Sequence, residues 1–138
     1  MNDLSSAPQL YEDLNEFSKK KTIETFANIA FKSYKEFKDN TPIISIENPP
    51  AGGAFSRAEE LKELVEKARE KFVEKAVKDG IGESEAKKVA EKLLGVTWDI
   101  GHINMLRKYG YEKEDIIKQA EKIAPLVNHI HLSDNFGF

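Results

Sequence analysis

The sequence predicts an α/β fold: a parallel sheet of about three strands joined by crossover helices. Helical patterns alternate with short apolar runs, in the order helix, strand, helices, strand, helices, strand. The runs "PIISIEN", "VTWD" and "LVNHIHLSD" are brief and β-branched, as strands are. At 138 residues the chain is the size of one ordinary domain and long enough for a substantial core. Crossovers between such strands are expected to be right-handed.

Each element follows from its own spacing. "APQLYEDLNEF" predicts a short helix through Leu10, Leu14 and Phe17. From about Thr22 to Lys38, the residues Ile23, Phe26, Ala30, Tyr34 and Phe37 recur at three-and-four spacing, which makes a helix with one buried stripe. Asp39, Asn40 and Pro42 end it. Ile43 to Glu47 forms the first strand, closed by the loop "NPPAGG". Ser56 and Glu59 form an S-x-x-E capping box. The helix they open runs to about Lys78 and buries Leu61, Leu64, Val65, Ala68, Phe72 and Ala76, with Gly80 at its C-terminal cap. A second helix, about Ser84 to Leu94, buries Ala86, Val89, Ala90 and Leu93, and Gly95 stops it. After the strand "VTWD", His102 to Lys108 and about Lys113 to Ala124 read as helical, the latter through Ile116, Ile117, Ala120 and Ile123. Pro125 ends that helix before the third strand. Charge-rich stretches such as "KELVEKAREKFVEKAVK" are solvated helix faces.

Composition narrows the function. With 40% hydrophobic and 33% charged residues, the chain has the balance of a soluble, helix-rich domain. A formal charge of −3 and a pI near 5.7 give no electrostatic pull toward nucleic acid or anionic membranes. The absence of cysteine excludes disulfides, thiolate metal sites and cysteine nucleophiles. The acidic opening "MNDLSSAPQLYEDLNEF" lacks the apolar core of a signal peptide. No apolar run approaches the ~20 residues that span a bilayer, so the cytoplasm is the default compartment.

The chemistry gathers at the strand ends. The first strand closes with Glu47, the second with Asp99, the third with His131 followed by Asp134. Side chains alternate along a strand, so Ile43, Ser45 and Glu47 share one face, Thr97 and Asp99 another, and Val127, His129, His131 and Ser133 a third. If these faces point the same way, Glu47, Asp99 and His131 converge at one edge, with Ser45, Thr97 and His129 one layer beneath. Two carboxylates and an imidazole suit a hard or borderline divalent cation such as Mn²⁺, Mg²⁺, Co²⁺ or Zn²⁺. Plainer roles exist for each alone: Glu47 as a water-facing loop residue, Asp99 as a cap on the next helix, the His pair as packing. Accidental placement at all three strand ends is a poorer account than one shared site.

"SIEN", "VTWDIGH" and "HIHLSDN", in that order and each ending a strand, resemble the xylose isomerase-like TIM-barrel superfamily, which groups sugar isomerases and epimerases with the endonuclease IV type of DNA-repair enzyme. The resemblance spans Ser45 to Asn135. It implies a partial (β/α)8 barrel over residues 1–138, from the helix before the fifth strand through the loop after the seventh. Glu47, Asp99 and His131 would be metal ligands, with Glu47 also one of two acid–base carboxylates. His102 would touch substrate or a second metal, and Asp134 and Asn135 would line the mouth. A whole barrel needs roughly 250 residues. The superfamily's eighth-strand glutamate has no counterpart here, so the resemblance implies an incomplete site, completed by self-association or by a complementing barrel half. Glu47 and Asp99 lie 52 positions apart against 32 between Asp99 and His131, which suggests an extra helix outside the barrel.

The implied function is a sugar or sugar-phosphate isomerase or epimerase using a divalent metal and carboxylate acid–base catalysis, with a small sugar as substrate. Two alternatives stand beside it. One is an endonuclease IV-type nuclease for abasic DNA, to which the acidic pI and lack of a basic stripe are poorly suited. The other is a non-catalytic partial barrel whose open sheet edges promote self-association.

Overall fold

The computed structural model describes residues 11–133; Leu10, Asp134 and Asn135 therefore lie outside the described residues. Helix α1 (Leu14–Phe37) leads to strand β1 (Ile44–Glu47), then α2 (Ala58–Lys78), α3 (Glu83–Leu93), β2 (Leu94–Asp99), the short α4 (Ile100–Asn104), α5 (Lys113–Ile123) and β3 (Val127–His131). The three strands form one sheet in the order β1-β2-β3, parallel throughout. The first crossover carries two long helices, α2 and α3. No helix among the described residues is long and apolar enough to cross a membrane.

The N-terminal region holds one helix where the spacing suggested two. Asp13 caps it by accepting the N–H groups of Asn15 and Glu16 at 2.9 and 3.2 Å. No glycine or proline interrupts residues 14–37, and the hydroxyls of Thr22 and Thr25 return hydrogen bonds to the carbonyls of Ser18 and Lys21 within the helix. Ala27 and Ala30 are fully buried, and small side chains there let α1 lie close against α2. Phe37, expected on the buried stripe, is 46% exposed at the helix end.

The core lies between the helices and one face of the sheet. All six residues expected on the buried stripe of α2 are buried, together with Ala58. Leu61, Leu64 and Val65 join Ile46, Val96 and Trp98 in one cluster; Ala68, Phe72 and Ala76 join Ala86, Ala90, Leu93 and Leu94 in a second. Burial of this kind contributes roughly 25 cal/mol per Å² of apolar surface removed from water. On α5 only Ile123 is buried, and Ile117 is 45% exposed.

Two sequence expectations about helix ends need correcting. The Ser56–Glu59 capping box does not form: Arg57 occupies the cap position without a side-chain cap bond. Instead the Ala58 N–H donates to Gln119 Oε1 of α5 at 2.7 Å, and Glu59 pairs with Lys122 of α5. A tertiary partner has replaced the local one. Gly95 does not stop α3, which ends at Leu93; it lies inside β2. A Cβ at Gly95 would come within 2.1 Å of Asn128 Nδ2, so the glycine makes room for a side chain of β3. Gly80 does act as expected. At φ +92° it places its N–H on the Val77 carbonyl and that of Ile81 on Ala76, the Schellman arrangement.

The register explains which face is polar. Ser45 pairs with Gly95 and Glu47 with Thr97; across the other side of β2, Val96 pairs with Val127, Thr97 with His129 and Asp99 with His131. Asn128 is therefore an extra residue on β3, a bulge. It corrects two expectations. Val127 leaves the histidine face and packs against the core cluster, and Thr97 and His129 lie level with Glu47 rather than beneath it. In unbroken register His129 and His131 would have faced the helices. With the bulge they stand on the face of Glu47 and Asp99.

Candidate metal centre

Four ligand-capable side chains meet at the carboxyl end of the sheet. His131 Nδ1 lies 2.9 Å from Glu47 Oε1 and 3.7 Å from Asp99 Oδ2. His102 Nδ1 lies 3.9 Å from both of those oxygens. One ligand atom each from Glu47, Asp99 and His102 fall within 4.8 Å of one another. The structure thus brings together Glu47, Asp99 and His131, and adds His102 to them. His129 stacks edge-on against His131, with ring centroids 5.0 Å apart, and both rings are exposed on β3.

Asp99 is held most firmly. It is 7% exposed. Its Oδ1 accepts the backbone N–H of His102 at 3.0 Å and the hydroxyl of Ser133 at 3.2 Å, which leaves Oδ2 turned toward the two imidazoles. The helix-cap role and the ligand role are therefore both available to one carboxylate, through different oxygens. Burial pushes the Asp99 carboxyl up. The His102 N–H, the adjacent imidazole, the Ser133 hydroxyl and the Gly101 N–H outweigh that, holding it below its ordinary value and favouring the anion.

Asn48 organises the site, and the sequence expectations gave it no part. It is fully buried. Its Nδ2 donates to the Asp99 carbonyl at 3.1 Å, its Oδ1 accepts the Asp99 N–H at 2.7 Å, and its own carbonyl accepts His102 Nδ1 at 2.8 Å. β1 ends one residue earlier, so the side chain of Asn48 extends the ladder where the backbone leaves it. The carbonyl can only accept, so Nδ1 of His102 carries a hydrogen and Nε2 is the nitrogen left to face the site. The only trace of this in the sequence is a polar Asn directly after the strand-end Glu47 and before Pro49.

The donor set fits a divalent cation. Carboxylate oxygens and imidazole nitrogens are the ligands that hard and borderline metals take. A metal-ligating histidine ordinarily donates its second nitrogen to a carbonyl, as His102 does to Asn48. The hydrogen bond from His131 Nδ1 to Glu47 Oε1 orients both groups and leaves His131 Nε2 and the second Glu47 oxygen to face a cation. Trp98, on the opposite face, is 2% exposed among the core residues, and its indole Nε1 has no hydrogen-bond partner among the described residues.

Compared with protein-family models, curated proteins and solved structures, the chain shows no match.

Proposed function

We propose that the chain is a divalent-metal-dependent protein of the sugar or sugar-phosphate isomerase and epimerase type, its three strands forming part of a (β/α)8 barrel wall. The supporting observation is the convergence of Glu47, Asp99, His102 and His131 where three parallel strands end, the edge at which α/β proteins gather their ligands. Glu47, Asp99 and His131 are the proposed ligands for Mn²⁺, Mg²⁺, Co²⁺ or Zn²⁺, with His102 close enough to join them or to meet substrate. Asp134 and Asn135, which follow the Ser133 that touches Asp99, are proposed substrate contacts.

A bound cation supplies positive charge where a substrate carbonyl oxygen becomes anionic. The chain's own residues supply one of the two acid–base carboxylates and the groups that position it. Glu47 is the exposed carboxylate of the group and accepts a proton from carbon beside that carbonyl. His131 orients Glu47 through the 2.9 Å hydrogen bond. Asp99 stays ionised, and Asn48 fixes the His102 ring.

Calorimetric titration of chelator-treated protein with Co²⁺ or Mn²⁺ tests the reading. Saturable binding is expected, weakened about tenfold or more in Glu47→Gln and in Asp99→Asn. Unchanged affinity in Glu47→Gln removes the site. Metal-dependent exchange of a ketose C–H with solvent deuterium is the matching activity measurement. The nearness of His102 to both carboxylates also keeps the endonuclease IV type in view, since an Asp-x-x-His pair can serve two metals. Salt-sensitive nicking of abasic DNA would favour that type.

A further inference from the structure

We propose that a cleft at the same end of the sheet as the cation site is an anion subsite that takes the phosphate group of a small phosphorylated substrate. The cleft has a volume of about 430 Å³ and is lined by Gly52, Gly53, Ser56, Arg57, Tyr109 and Tyr111. These residues belong to the segments that leave β1 after Glu47 and β2 after Asp99, so the cleft opens at the same end of the sheet as the four converging side chains.

Three features of the lining select an oxyanion. Arg57 makes no ion pair with a carboxylate among the described residues. Its guanidinium lies over the Tyr111 ring at 5.3 Å and donates to the Tyr111 hydroxyl at 2.5 Å, which holds the positive head in place without neutralising it. Because that phenol oxygen accepts from Arg57, its own hydrogen remains to be donated. Ser56 is 4% exposed, lines the cleft, and has no hydrogen-bond partner for its hydroxyl among the described residues. That hydroxyl opens onto the cleft, where it can donate to an acceptor. Behind both residues begins α2, of 21 residues, whose N-terminus adds positive potential. Gly52, at φ +96°, brings the loop so close that a Cβ would sit 3.4 Å from the Tyr109 hydroxyl.

A guanidinium, an aliphatic hydroxyl and phenols around a helix start suit a tetrahedral group with several terminal oxygens. Glu60 also lines the cleft and repels an anion. It suits a phosphate ester whose neighbouring carbon carries a hydroxyl better than it suits free phosphate. The substrate class, a sugar phosphate rather than a neutral sugar, rests on the function proposed above; the anion subsite itself does not.

The test uses inorganic phosphate as probe, in the presence of chelator and at constant ionic strength, followed by ³¹P NMR or calorimetry. Saturable binding is expected, weakened about tenfold or more in Arg57→Met, weakened in Ser56→Ala and tightened in Glu60→Gln. Thermal melts of each variant establish that it is folded. Absence of saturable binding, or equal binding by folded Arg57→Met and Ser56→Ala, overturns the subsite. Failure of the cation reading shows separately, as absence of Co²⁺ binding by protein that still binds phosphate. With Co²⁺ present, a ketose phosphate is expected to bind more tightly than inorganic phosphate; equal binding of the two overturns the sugar-phosphate assignment.

Discussion

At the scale of single residues, the site depends on side chains that act on backbone. Asn48 is the clearest case, since it satisfies both the N–H and the carbonyl of a residue 51 positions away. Replacing it with alanine leaves two buried polar groups unpaired. We expect Asn48→Ala to destabilise the fold by about 2–4 kcal/mol in chemical denaturation. Gly95 acts through absence: the Asn128 amide occupies the space a methyl would need. Gly95→Ala is expected to cost about 1–2 kcal/mol. Because Asn128 is exposed, most of that loss should return in the Gly95→Ala, Asn128→Gly double variant, and a double-mutant cycle measures the coupling. Additive losses would mean that the strain lies elsewhere. Neither residue announced itself in the sequence. Asn48 looked like the start of a loop and Gly95 like a helix stop, because each owes its role to a partner far away along the chain.

At the scale of elements, local periodicity was a good guide wherever a helix is packed along its length. The stripe of α2 was legible because α1, α3, α5 and the sheet all meet that helix. The stripe of α5 was only half right, since apart from Ile123 its apolar residues are no more than partly covered. The bulge at Asn128 was invisible for a different reason: it is a relation between β2 and β3, and period-two alternation within one strand cannot report it. The convergence of Glu47, Asp99 and His131 was foreseen from strand ends alone, but not the layering beneath. Lys19 of α1 and Lys67 of α2 itself both reach Glu63 of α2, at 2.5 and 2.7 Å. They pull its carboxyl from 4.5 down to about 2. A carboxyl depressed in the folded state contributes stability above its unfolded value and loses it as the pH falls. Glu63 is 43% exposed, so screening leaves the contribution at about 0.5 kcal/mol. Between pH 4.5 and 2, wild type should lose slightly more stability than Glu63→Gln, measured by melting temperature across that range.

At the scale of the whole molecule, the sheet has one face under helices and one face carrying the ligand-capable groups. β2 is buried along all six residues and paired on both sides, whereas among the described residues β3 is paired on one side and exposed from Asn128 to His131. Amide hydrogen exchange should therefore be slowest in β2 and the middle of α2, and fastest within the sheet along β3. Uniform protection across the three strands would contradict this. The contact between Glu47 and His131 has a consequence for folding. It joins residues 84 positions apart, across the full width of the sheet. Closing a loop of that length carries a chain-entropy cost of about 4 kcal/mol, and the contact can form only after the strand between them is seated. On the reading proposed above, the cation site needs all three strands in place, so a cation held there would act as a clasp on the outer strand.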